Sequence, residues 1–127
     1  MTRFFWICLG GAAGTGARYL LSGWVLAALG PAFPYGTLAV NTVGSFLLGA
    51  TMHVALTTRL LAPTLRLALT AGVLGGFTTY STFNYETLES LRGGAWTIGI
   101  ANVAVTVVGC LLAGAAGLAL AQWWTGA

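Results

Sequence analysis

Apolar residues run along this chain in four long stretches, and within each the polar residues recur at helical spacing. The stretches cover about 4–28, 37–56, 64–91 and 96–122. Each reaches the roughly 20 residues that an α-helix needs to cross the hydrocarbon core of a bilayer. Short punctuating segments separate them. The first, Gly30-Pro31-Ala32-Phe33-Pro34-Tyr35-Gly36, is uncharged; the second, Thr57 to Pro63, puts a proline where a helix would begin; the third is Gly93-Gly94. This pattern predicts an all-α integral membrane protein, a single domain over 1–127 with four transmembrane helices.

The third stretch is interrupted. Gly75-Gly76-Phe77-Thr78-Thr79-Tyr80-Ser81-Thr82-Phe83-Asn84 falls in its middle, where a glycine pair followed by threonines disfavours continuous helix and where hydroxyls have no partner in lipid. A break at 75–80 follows. The half-helix before it, about Thr64 to Gly75, would end in unpaired carbonyls, and the half-helix after it, about Ser81 to Leu91, would begin with unpaired amides. Carbonyls suit a desolvated cation, whereas amides and hydroxyls suit an anion. A glycine hinge with capping threonines and no ion would read the same way.

Two other helices carry polar tracks. Thr37, Asn41 and Ser45 recur every four residues in the second stretch, as do Asn102, Thr106 and Cys110 in the fourth, so each set shares one helix face. Such tracks line a pathway or bond helices to one another. In the first stretch Gly10 and Gly14 have the small-xxx-small spacing of a close helix contact, and Arg18 puts a charge inside the span or snorkelling toward its end. Tyr80 and Phe83 share a face, either as packing or as positive ring edges turned toward an anion. Trp96 at one end of the last stretch and Trp123-Trp124 at the other match interfacial aromatic belts.

Composition narrows the function. Apolar residues make up 57% and charged residues 6% of the chain, with mean hydropathy +0.88, against about a quarter charged in soluble domains. The net charge of +3 comes from five scattered arginines against Glu86 and Glu89, which is no patch for nucleic acid. Arg3 ahead of an apolar run could open a signal peptide, but the apolar pattern continues to Leu29, so this is a retained first helix. Cys8 and Cys110 are isolated, and the only histidine, His53, has no carboxylate beside it. No nucleophile–base pair or metal cluster can be assembled, which excludes an enzyme. Helices 1, 2 and 4 also lack the carboxylate that a proton-driven exporter needs. Passive conduction of an anion remains; the alternatives are a small dual-topology multidrug-type transporter and a non-transporting membrane assembly subunit. Arg3, Arg59 and Arg66 on one side barely outnumber Arg92 and Arg18 on the other, a bias weak enough to permit insertion in both orientations and an antiparallel dimer.

Gly75-Gly76-Phe77-Thr78-Thr79-Tyr80-Ser81-Thr82-Phe83 closely resembles the GG-x-TT-F-STF signature of the small bacterial fluoride channels called Fluc or CrcB. The resemblance continues through Gly10 to Gly14 with Arg18-Tyr19, Gly36 to Asn41 with Gly44 and Ser45, and Asn102. It implies an antiparallel dual-topology homodimer in the bacterial inner membrane, with two pores and a non-transported structural sodium ion between the helix breaks. By position, the backbone carbonyls of Gly75 and Thr78 would hold that ion. Tyr80 and Phe83 would be the pore aromatics and Asn41 the pore asparagine, while Thr37, Ser81, Thr82, Thr106 and Asn102 would match or lie along the polar tracks. Arg18 would draw anions into the vestibule and Glu86 would stand at a track end. The implied partners are fluoride, a second copy and lipid; the implied activity is passive fluoride export that lowers its concentration in the cytoplasm. Tyr80 departs from the family's usual Phe, and Cys110 stands where a more polar residue is expected.

Overall fold

The computed structural model describes residues 1–127. Three helices are continuous: α1 Thr2–Leu29, α2 Tyr35–Thr57 and α6 Trp96–Thr125. Between α2 and α6 lies a segmented rod of α3 Pro63–Leu67, a wide-turn stretch Ala68–Leu74, α4 Gly75–Phe77 and α5 Tyr80–Arg92. The chain is therefore all-helical, four rods long. Pro63 opens α3 at its first turn, where its missing N–H costs no hydrogen bond. Gly30 at φ 77° and Gly94 at φ 83° turn the chain after α1 and α5, a backbone region that other residues avoid.

The rods associate in two glycine-mediated pairs. α1 lies against the segmented rod so closely that a Cβ on Gly14 would overlap the Val73 carbonyl and one on Gly76 would overlap the Gly11 carbonyl. The close contact expected of Gly10 and Gly14 is thus made, with Gly72 and the Val73 backbone. α2 and α6 form the second pair, where a Cβ on Gly49 would strike the Gly114 carbonyl and one on Gly117 the Phe46 carbonyl. His53 Nε2 and Thr125 Oγ1, 3.0 Å apart, tie the far ends of the same two helices.

Polar side chains are as numerous as apolar ones inside these contacts. Thr37, Asn41, Thr79, Thr87, Asn102 and Thr106 are buried, while leucines, valines and tryptophans of α1 and α6 stay exposed, Leu111 at 70% and Trp123 at 80%. α2 and α6 are long and apolar enough to cross a membrane, yet only 22% and 11% of their most apolar windows are buried. A soluble core helix would hide those residues. Apolar outside and hydrogen-bonded inside is the construction of a helical membrane protein.

The break is shorter than expected and has a different cause. Gly75 is helical, at φ −64° and ψ −38°, and its N–H reaches back five residues to the Thr70 carbonyl; the helix continues to Phe77. Only Thr78 and Thr79 are extended, at ψ 156° and 108°. The glycine pair does not end the helix, because neighbouring α1 backbone rewards helical Gly76 with close packing. The expected interruption over 75–80 therefore contracts to two residues, with half-helices ending at Phe77 and restarting at Tyr80 instead of Gly75 and Ser81.

Candidate functional site

Thr78 and Thr79 are held open by α2. Asn41, 8% exposed, donates from Nδ2 to the Thr79 carbonyl at 3.0 Å and accepts the Thr79 N–H on Oδ1 at 2.7 Å. This paired bond replaces a turn of helix with a strand-like grip, satisfying both backbone groups of a residue that water does not reach. Gly44, one turn along α2, leaves room for the break: its Cβ would fall on Thr78 Cγ2.

Hydroxyls then finish both helix ends. Thr78 donates from N and from Oγ1 to the Leu74 carbonyl, each at 3.0 Å. Thr79 caps α5 by accepting the Thr82 N–H on Oγ1 at 3.2 Å, the usual N-cap arrangement. Its hydroxyl also meets Thr82 Oγ1 at 2.9 Å and Ser81 Oγ at 3.4 Å. The carbonyls around the break lose helical partners as a result, those of Gly75 and Thr78 among them. The Thr79 N–H that would close a turn onto Gly75 goes to Asn41, and the Thr82 N–H that would close one onto Thr78 goes to the Thr79 hydroxyl.

Two open pockets border this break. The larger, about 680 Å³, brings Arg18 and Thr15 of α1 to Thr37, Thr79, Thr82 and Glu86. Arg18 Nη1 donates to the Thr78 carbonyl at 3.3 Å, and Thr37 Oγ1 donates to Glu86 Oε1 at 2.8 Å. Glu86 Oε2 is buried with no hydrogen-bond partner. The smaller pocket, about 310 Å³, has no charged residue; Asn41, Ser45, Thr78, Tyr80, Phe83, Thr106 and Cys110 are among those lining it. Tyr80 and Phe83 meet edge to face there, centroids 5.7 Å apart, but Phe83 is 8% exposed and Tyr80 78%.

The structure thus gathers most of the residues singled out from the sequence, and separates some. Thr37 and Asn41, on one α2 track, face different pockets. Asn102 lines neither: at 2% exposure it donates to Thr87 Oγ1 at 2.9 Å and accepts from Thr106 Oγ1 at 3.1 Å, while Thr87 donates to the Phe83 carbonyl. It belongs to an internal α5–α6 seam that fixes Phe83. Ser81 is exposed on the far side of the Thr79 hydroxyl and also lines neither pocket. Thr15, Thr79 and Thr87 were not anticipated. Thr15 is one turn before Arg18 and Thr87 one turn after Phe83, so helical spacing from those two could have found them.

Comparison with known proteins identifies the family. Residues 5–118 match the family described as CrcB-like protein, Camphor Resistance (CrcB). A Sorangium cellulosum protein named fluoride-specific ion channel FluC is 60% identical over 122 residues, covering 96% of each chain. Proteins of the same name from Anaeromyxobacter sp. strain K and Geobacter sulfurreducens are 53% and 50% identical, covering 99% and 96% of this chain and 100% and 98% of their own. With the broken rod, its asparagine clamp and both pockets inside the matched region, the chain belongs to the CrcB family.

Proposed function

We propose that this protein is a passive, fluoride-selective channel, working as an antiparallel homodimer of four-span protomers in a bacterial inner membrane. The observation that carries the reading is the uncharged pocket beside the break, whose lining includes an amide, hydroxyls and two aromatic rings. Fluoride is small and strongly hydrated, so it exchanges water only for several close donors; a fixed cation in the narrow part would hold it instead of passing it on. Neutral donors and positive ring edges supply attraction without that trap. Full-length relatives named fluoride-specific ion channels support the same ion. The protein is a channel and not an enzyme.

Neutral HF crosses bilayers and dissociates in a less acidic cytoplasm, leaving fluoride behind. The membrane potential, worth about 2.3 kcal/mol per charge per 100 mV, drives the anion out through an open path without another energy source. In this reading Arg18 raises the local anion concentration in the larger pocket and Thr37, Thr82 and Glu86 border the route. Asn41, Tyr80, Phe83 and Thr106 form the uncharged passage, and Ser81 meets it only through the Thr79 hydroxyl at the break. Asn102 supports the passage from behind. A second copy would cover Tyr80 and Gly75, both exposed in one protomer.

A structural sodium ion fits the residues present. The carbonyls of Gly75 and Thr78 lack their helical partners, and hard, neutral oxygens from two protomers suit a small monovalent cation. Bound there, the ion would supply positive charge joining the two breaks. It would not move with fluoride.

Ion efflux from liposomes tests the function. With a potassium gradient and valinomycin setting the voltage, fast fluoride release and little chloride release are expected. Correctly dimeric protein that releases no fluoride would overturn the channel reading.

A further inference from the structure

Arg18 is bonded to the break itself, on the Thr78 carbonyl proposed to hold sodium. Its guanidinium lies 3.3 Å from that oxygen, and the larger pocket around it offers hydroxyls, apolar side chains such as Leu20 and Trp24, and one carboxyl, that of Glu86. Glu86 is already engaged through Oε1 with Thr37. An arginine keeps its charge under all ordinary conditions. One carbonyl therefore serves two cations, the guanidinium from the pocket side and sodium from the side of the partner.

From this shared oxygen we infer that Arg18 links the two ion sites: it weakens sodium binding at the break, and an anion held by Arg18 restores it. Sodium in contact with the Thr78 carbonyl would stand at most about 6 Å from the guanidinium. At an effective dielectric of about 20, repulsion between unit charges about 6 Å apart is worth roughly a hundredfold in an equilibrium constant, and delocalisation over the guanidinium lowers it. Fluoride drawn into the larger pocket offsets the same charge and withdraws the guanidinium from the carbonyl. Linkage is reciprocal, so sodium at the break must favour fluoride at Arg18 by the same factor. The inference rests on the proposed sodium site.

Equilibrium sodium binding to the purified dimer tests it, using radioactive sodium in N-methylglucamine fluoride or in N-methylglucamine gluconate at equal ionic strength. The wild-type protein is expected to bind sodium severalfold more tightly in fluoride. Arg18→Gln keeps a donor for the Thr78 carbonyl but no charge; it should bind sodium about tenfold more tightly in gluconate and lose the response to fluoride. Arg18→Lys, which keeps the charge, should behave as wild type, showing that the effect is not one of folding. Equal sodium affinity in wild type and Arg18→Gln, or a fluoride response that survives in Arg18→Gln, would overturn the linkage and leave the sodium site standing. Absence of saturable sodium binding in all three proteins would overturn the site and the linkage together.

Discussion

The two pockets that flank the Thr78–Thr79 break are built from opposite materials. The larger has a guanidinium and a carboxyl in its lining; the smaller has no charged residue, and an amide, hydroxyls, a thiol and two rings line it together with Leu48 and Val107. The difference separates two tasks. A wide, solvated pocket can use a full charge to collect anions, because water screens the attraction enough to let them go. The smaller does without one, since a full charge in a confined part of the path would bind too tightly for rapid passage. The boundary between them is one side chain, Asn41, whose amide holds the Thr79 backbone in place.

Removing that boundary should have the largest effect. Asn41→Ala leaves a buried N–H and a buried carbonyl of Thr79 without partners, each costing about 1–3 kcal/mol, so the break should close toward helix or collapse. Fluoride efflux is expected to disappear and the melting temperature of the dimer to fall. Asn41→Asp sharpens the test: it can still accept the Thr79 N–H but opposes a carboxylate to the Thr79 carbonyl and puts charge into the uncharged pocket. It should be inactive too, and wild-type flux in either variant would show that the clamp is dispensable.

The ring edge comes next. Phe83→Ile keeps an apolar side chain of moderate size at a buried position but removes the positive edge that the smaller pocket presents. Fluoride flux should fall by about a hundredfold or more, given how few other donors replace water there, while gel filtration shows an intact dimer. Unchanged flux would take Phe83 out of the pathway and leave it as packing between the Asn102–Thr87 seam and the pocket.

Why the sequence was informative about some of this and silent about the rest follows from range. Four rods are visible because hydropathy is a local property, and the family-like segment from Gly75 to Phe83 marks where the third is interrupted. The cause of the interruption lies 38 residues away, at Asn41, and nothing in the local pattern distinguishes an asparagine that grips a backbone from one that faces an ion. The local pattern points to the Gly75-Gly76 pair as the cause, yet both glycines continue the helix, and Gly76 serves to let α1 approach. The tracks show the same limit. Spacing puts Asn102 and Thr106 on one face, but only the packing of α5 against α6 decides that Thr106 borders a pocket and Asn102 does not. The fluoride reading itself came from family-like residues, since periodicity alone left an anion pathway and a hydrogen-bonded seam equally open.

Neutralising the charged pocket should have a moderate effect. Arg18→Gln removes the attraction that concentrates anions but leaves the narrow passage untouched, so fluoride flux should drop only about three- to tenfold at low ionic strength. At about 0.5 M salt, where the Debye length is only a few ångströms, the variant and the wild type should converge. A loss of flux that salt does not diminish would mean that Arg18 acts on the break through the Thr78 carbonyl more than on the anion.

The smallest effect is expected at Cys110, on the helix opposite Asn41. Its Sγ is 3.9 Å from Thr42 Oγ1, a weak contact, and it borders the uncharged pocket beside Thr106. Cys110→Ser substitutes a better donor of similar shape on a half-buried position, adding one hydroxyl to a row that already holds Ser45, Thr78 and Thr106. If passage is governed by the Asn41 clamp and the ring edges, one more donor along the wall should change fluoride flux by no more than about twofold, upward, with chloride exclusion intact. A tenfold rise would instead make the row of hydroxyls the limiting part of the path, and the thiol the reason this chain conducts more slowly than its serine variant. The contrast between the two pockets would then be one of donor density as much as of charge.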